Sequence, residues 1–191
     1  MRVQRIVMVV AGLLALGTTG LKAQTFSVER GGFFTSFGLG YGSGKFSCAQ
    51  CSADRISGVT MSVAVGAGVS NSLILGGEVD AWWNSRDNTS QWVSDLLAYA
   101  QFYPAPNAGF FLKGGAGYSH AEAFYPSGSS QAFASVDGFG WVVGAGYDYM
   151  DSDSWAITGT LAWFGGVYSS EGATASPKSN VIQAMIGVTF F

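Results

Sequence analysis

The chain is poor in charge. Of its 191 residues only 11% are Asp, Glu, Lys or Arg, against about 25% in an ordinary soluble domain. It has one histidine and two cysteines. Two cysteines cannot make a disulfide framework, and with no histidine near them they make a poor zinc site. Past the first two dozen residues no stretch reaches 18 unbroken apolar residues, which excludes a helical membrane span. Bases are scarce as well. Setting aside Arg2, Arg5 and Lys22, six of the nine bases remain against twelve acids, a net charge of about −6. No basic patch is available to neutralise phosphates, so nucleic acid is not an expected partner.

What is abundant is apolar and small. Hydrophobic residues make up 48% of the chain and aromatics 15%, with 28 glycines. The apolar residues are dispersed in alternation rather than gathered in runs.

The N-terminus reads as an export signal. Arg2 and Arg5 form a basic start, Ile6 to Leu16 an apolar core, and Leu21-Lys22-Ala23 a small-residue cleavage site before Gln24. About 11 apolar residues fall short of the ~20 that a span needs. No cysteine follows the core to take a lipid anchor. The expected division is a leader over 1–23 and one domain over 24–191.

The last strand sets the pattern for that domain. Ile182, Ala184, Ile186, Val188 and Phe190 are all apolar, while Gln183, Gly187 and Thr189 lie between them. Period 2 means a strand with one oily face and one mixed face. An open edge of that kind invites aggregation, and a closed barrel in a bilayer removes it. Seven more strands precede it: Phe33–Gly42, Gly58–Val69, Leu73–Asn84, Trp92–Tyr103, Phe110–Ser119, Gly138–Tyr149 and Trp155–Phe164. In the first, Phe33, Phe37, Leu39 and Tyr41 alternate with Ser36, Gly38, Gly40 and Gly42. In the second, Val59 to Val69 alternate with Thr60 to Gly68. Large residues on one face and glycine on the other suit a narrow barrel. Longer polar connections (Ser43–Ser57, Ser85–Gln91, His120–Ser135, Gly165–Ser179) alternate with short turns. That asymmetry predicts an all-β, eight-stranded, antiparallel up-and-down transmembrane barrel.

With these glycine-rich alternating strands and the aromatic end Ile186-Gly187-Val188-Thr189-Phe190-Phe191, the chain resembles the small outer-membrane β-barrel family. These are the OmpA/OmpX-type and porin-like proteins of the Gram-negative envelope, often described as the outer membrane protein beta-barrel domain. The resemblance implies outer-membrane lipid as surroundings and the barrel-insertion machinery as an assembly partner. The leading expectation for function is a structural or surface-interaction role, with an unidentified extracellular ligand or protein at the long loops. One departure stands out: Phe190 is in phase with the oily set and Phe191 is not.

The candidate interior residues are Glu78, Asp80, Asp95, Lys113 and Asp148. Buried charge needs a partner. Lys113 starts the fifth strand and Asp148 ends the sixth, so an ion pair between them is expected, with Arg86 folding in beside the other acids. Cys48 and Cys51, exported to an oxidising compartment, are expected to close a small disulfide loop. A row of inward carboxylates also admits a narrow cation-preferring channel. An outer-membrane lipid-modifying enzyme is the third reading. His120 beside Ser119 and Glu122 is thin support for it, because the deacylases' His-x-Ser arrangement has Glu at residue 122. Gly38-Leu39-Gly40 and Gly114 to Gly117 precede no helix, so they are not phosphate loops. No cofactor, metal site or catalytic residue is expected.

Overall fold

The computed structural model describes residues 30–48, 51–52, 54–86, 89–127, 130–152, 154–169 and 176–191. Eight strands form the barrel: β1 (Gly32–Cys48), β2 (Ile56–Ser70), β3 (Leu73–Arg86), β4 (Thr89–Phe102), β5 (Phe110–Ser127), β6 (Ser130–Ser152), β7 (Trp155–Tyr168) and β8 (Lys178–Phe190). A two-residue return, Cys51–Ser52, pairs back onto the end of β1. Each strand is antiparallel to the next, and β1 pairs with β8 from Thr35↔Phe190 to Ser47↔Lys178. The sheet therefore has no free edge, which is what a strand in lipid requires.

Alternation decides which side chains face lipid. Leu39, Leu96, Leu161, Ile182 and Ile186 are exposed on the outer face, each more than half accessible. In water this belt would be an aggregation surface; in a bilayer it is solvated by acyl chains. The opposite parity fills the lumen in two apolar layers. The outer layer includes Trp82, Val93, Leu97, Val142, Phe164 and Tyr168. The periplasmic layer includes Phe34, Ile74, Tyr99, Tyr103 and Phe111, with Phe191 packed against it.

Glycine makes room for these rings. A Cβ on Gly44 would stand 2.8 Å from the Trp82 indole, and one on Gly58 also 2.8 Å from it. Trp82 is fully buried on this bare backbone, and its Nε1 donates to the Gly42 carbonyl at 3.2 Å. On the other side of the lumen, a Cβ at Gly146 would fall 2.3 Å from the Phe111 ring.

Two expectations need correction. The polar connections are largely strand. Pairing between β5 and β6 continues to Ser127↔Ser130, and β1 and β2 reach Cys48 and Ile56. Above the membrane both faces meet water, so the alternation that marks a strand disappears while the backbone ladder persists. The 23 residues of β6, at about 3.3 Å each and ~45° tilt, rise about 50 Å, twice the ~25 Å apolar band. The out-of-phase Phe191 leaves the strand. Its N–H donates to the Ser154 carbonyl at 3.1 Å, and its ring packs 5.9 Å from that of Phe34 at the periplasmic mouth. The second correction concerns Lys113 and is taken up below.

Candidate functional site

Glu78, Asp80, Asp95, Lys113 and Asp148 all lie buried in the lumen. Lys113 does not pair with Asp148. Its Nζ donates to Glu78 Oε1. The register explains why: Lys113 stands opposite Gly144, so Asp148 lies four residues further down β6, about 13 Å away along the strand. The long lysine side chain instead reaches past β4 to Glu78 on β3. Asp148 accepts from Tyr103 at 2.6 Å and from Thr158 at 2.7 Å. Arg30, which precedes β1, lies over the Tyr103 ring with its guanidinium carbon 3.7 Å from the centroid. It also donates to the Pro106 carbonyl at 2.5 Å, which ties it to the β4–β5 turn at the periplasmic mouth. The side chain of Arg86 lies outside the described residues.

Asp80 and Asp95 are direct neighbours across β3 and β4. Gln183 Nε2 donates to Asp80 at 2.9 Å, and Thr60 donates to Gln183. Ser119 donates to Asp95 and is itself bonded to Tyr168 at 3.0 Å. These carboxylates are held by neutral donors in a space closed above by the Trp82 layer and below by the Tyr103 layer. The central cavity, lined in part by Glu78, Tyr99, Gln101 and Lys113, measures about 20 Å³, room for about one water molecule. Glu78, Asp80 and Asp95 are all buried in this interior.

The outer rim is different. Beyond Tyr118 the outward residues of β5 are His120 and Glu122, and Asp137 on β6 stands opposite His120. His120 Nδ1 lies 2.6 Å from Asp137 and Nε2 lies 2.9 Å from Glu122. A carboxylate at each nitrogen favours the imidazolium, and the hydrogen bonds to Glu122 and then Asp137 hold its pKa above the ordinary histidine value. Bonds from Tyr118 and His120 hold Asp137 below the ordinary carboxylate value. With both nitrogens engaged by acids, His120 activates no hydroxyl.

Glu122 also faces Trp92 on β4, and Trp92 faces Trp83 on β3. The two indoles stack at 5.7 Å with 19° between planes. A recess of about 210 Å³ lies among Trp83, Ser85, Ser90, Trp92 and Glu122. Among the described side chains, the bases of the rim lie elsewhere. Lys45 and Lys178 flank Asn180 across β1 and β8, and Arg55 donates to Asn180 and to the Ser43 carbonyl.

The backbone places Cys48 opposite Cys51; their side chains lie outside the described residues. Among the described residues no group of three or more His, Cys, Asp and Glu side chains is disposed to hold a metal ion. The sequence reading missed the recess because it took 120–135 as loop. Once β5 continues, His120 and Glu122 are i, i+2 on one face. The symmetric placement of Trp83 and Trp92 about the Arg86↔Thr89 pair was a usable hairpin signal.

No family model matches the chain, and no curated protein matches it. Solved structures do. The attachment invasion locus protein Ail of Yersinia pestis aligns with a TM-score of 0.60 at 14% identity, over 82% of this chain and 98% of that one. The same protein in complex with the heparin analogue sucrose octasulfate aligns at 0.57 and 13%, over 83% and 99%. Neisserial surface protein A aligns at 0.53 and 17%, over 83% and 96%. At such identity the likeness is one of fold, and the fold is that of the small eight-stranded outer-membrane barrels. The apolar outward belt of this chain fits that architecture.

Proposed function

We propose that this protein is a non-conducting barrel that works as a surface-interaction element of the outer membrane, through the rim that β1–β6 raise above the lipid. The single observation that carries this is the filled outer layer of the lumen: Trp82, Val93, Val142 and Phe164 are all fully buried at one level. Ion flow would require moving an indole that is seated on Gly42, Gly44 and Gly58. In this reading residues 1–23 are the export leader and 24–191 the barrel domain. A Cys48–Cys51 disulfide pins the end of β1, where the backbone already sets the two residues opposite. The interior acids serve packing rather than ion selection or chemistry, and the extracellular partner meets the rim.

Planar-bilayer recording of the refolded barrel tests this. No discrete current above leak is the expected result. Steady cation-preferring steps that vanish in Glu78→Gln/Asp80→Asn/Asp95→Asn would overturn it in favour of a channel.

A further inference from the structure

The recess between Trp92 and Glu122 has a chemistry of its own. Trp83, Trp92 and Glu122 come from three successive strands and stand in one cross-strand row. Trp83 covers one face of the Trp92 indole. On the other side of Trp92, β5 sets Glu122 opposite it, and both residues line the recess. An indole face carries negative potential, so a cation beside it is attracted. A carboxylate on the facing strand adds to that attraction at the same place. The floor is neutral, with Ser90 Oγ donating to Ser85 Oγ at 3.2 Å. One oxygen of Glu122 is bonded to His120, and the charge of His120 is offset in turn by Asp137. Among the described side chains the row therefore retains net negative charge. At about 210 Å³ the recess is smaller than pockets for drug-sized ligands, about 300–1,000 Å³. It takes a group, not a large molecule. Lys45 on β1, Arg55 just before β2 and Lys178 on β8 do not line it.

We infer that this recess is a binding site for organic ammonium groups, seated between the indole of Trp92 and the carboxylate of Glu122. The inference rests on the surface-interaction reading and gives it a ligand class. Two sources present such a group at this height: a free amine in the medium and the amine of a neighbouring lipid headgroup.

The test is a titration of the full barrel in a sugar-based detergent with choline, and with 3,3-dimethylbutanol as its neutral isostere. The readout is the indole N–H resonances of Trp83 and Trp92. Choline is expected to shift both saturably and to bind about tenfold better than the alcohol. Glu122→Gln, which keeps shape and removes charge, is expected to lower choline affinity several-fold. Trp92→Leu is expected to abolish it, with the heat-dependent gel shift reporting that the barrel still forms. Equal binding of choline and the alcohol, or no saturable shift with either, overturns the site. Repeating the titration in nanodiscs separates the sources. Under phosphatidylcholine a headgroup-filled recess no longer responds to added choline, while under phosphatidylglycerol it does. Response in both assigns the site to free amines. The conductance experiment is indifferent to all of these outcomes, so the site and the non-conducting reading fail separately.

Discussion

Trp82 and Trp83 are consecutive on β3, and one closes the lumen while the other stands on the outward face. Trp82 is fully buried, its N–H satisfied by a backbone carbonyl and its rings lying on glycine. Trp83 stacks on Trp92 at the edge of an open recess. The acids divide in the same way. Glu78 is locked to Lys113 inside, and Glu122 lines a recess outside. The same residue types are consumed by packing on one face of the sheet and left available on the other. The difference comes from closure. A barrel of eight strands is only wide enough for its own side chains, so the lumen is a core and open recesses are left to the rim.

The comparison can be broken from the inside first. Trp82→Ala is expected to cost about 3–5 kcal/mol, seen as a lower urea midpoint for the lipid-refolded barrel, whereas Trp83→Ala costs far less. Lys113→Met leaves the Glu78 carboxylate buried without its cation and is expected to cost about 3–5 kcal/mol. Adding Glu78→Gln recovers most of that loss. If the single and double variants unfold alike, the pair is not what holds Lys113. On the lipid face, Leu96→Arg places a charge among acyl chains and is expected to cost about 2–4 kcal/mol near the midplane. Gly44→Val probes the platform under Trp82 and is expected to cost about 1–3 kcal/mol through overpacking. In Trp82→Ala the same substitution becomes nearly neutral, which a double-mutant cycle would read directly.

The smallest effect belongs to the rim. His120 has its folded-state pKa raised by Glu122 and Asp137. Its contribution to stability is therefore fully present below about pH 6.5, the unfolded value. It is lost as the pH rises through the raised folded value. Because the cluster is exposed, the change in unfolding midpoint is small. The clearer readout is the His120 ring titration by NMR, which moves back toward the ordinary value in Glu122→Gln. An unchanged titration would mean that Glu122 does not hold the imidazolium.

Much of the fold was legible because a lipid-facing strand must alternate. The oily faces of β1, β2 and β8 could be read from residues such as Leu39, Val65 and Ile186. The strand extensions were not legible. Nothing in a sequence separates a polar ladder above the membrane from a polar loop, since the pairing is made by the backbone. That is why His120 and Glu122 were read as loop residues, and why the recess beside them went unseen.

The sequence by itself determined the architecture: strand parity, the glycine face that permits a tight lumen, and the burial of Glu78, Asp80, Asp95, Lys113 and Asp148 on the inward set. Each depends on local period or composition, which the chain carries residue by residue. Only the tertiary structure decided who meets whom. Lys113 takes Glu78 rather than Asp148, Phe191 turns in under Phe34, and Trp92 stands between Trp83 and Glu122. Those pairings depend on strand stagger and on reach within a closed lumen. Both are properties of the whole barrel, and no single strand encodes them.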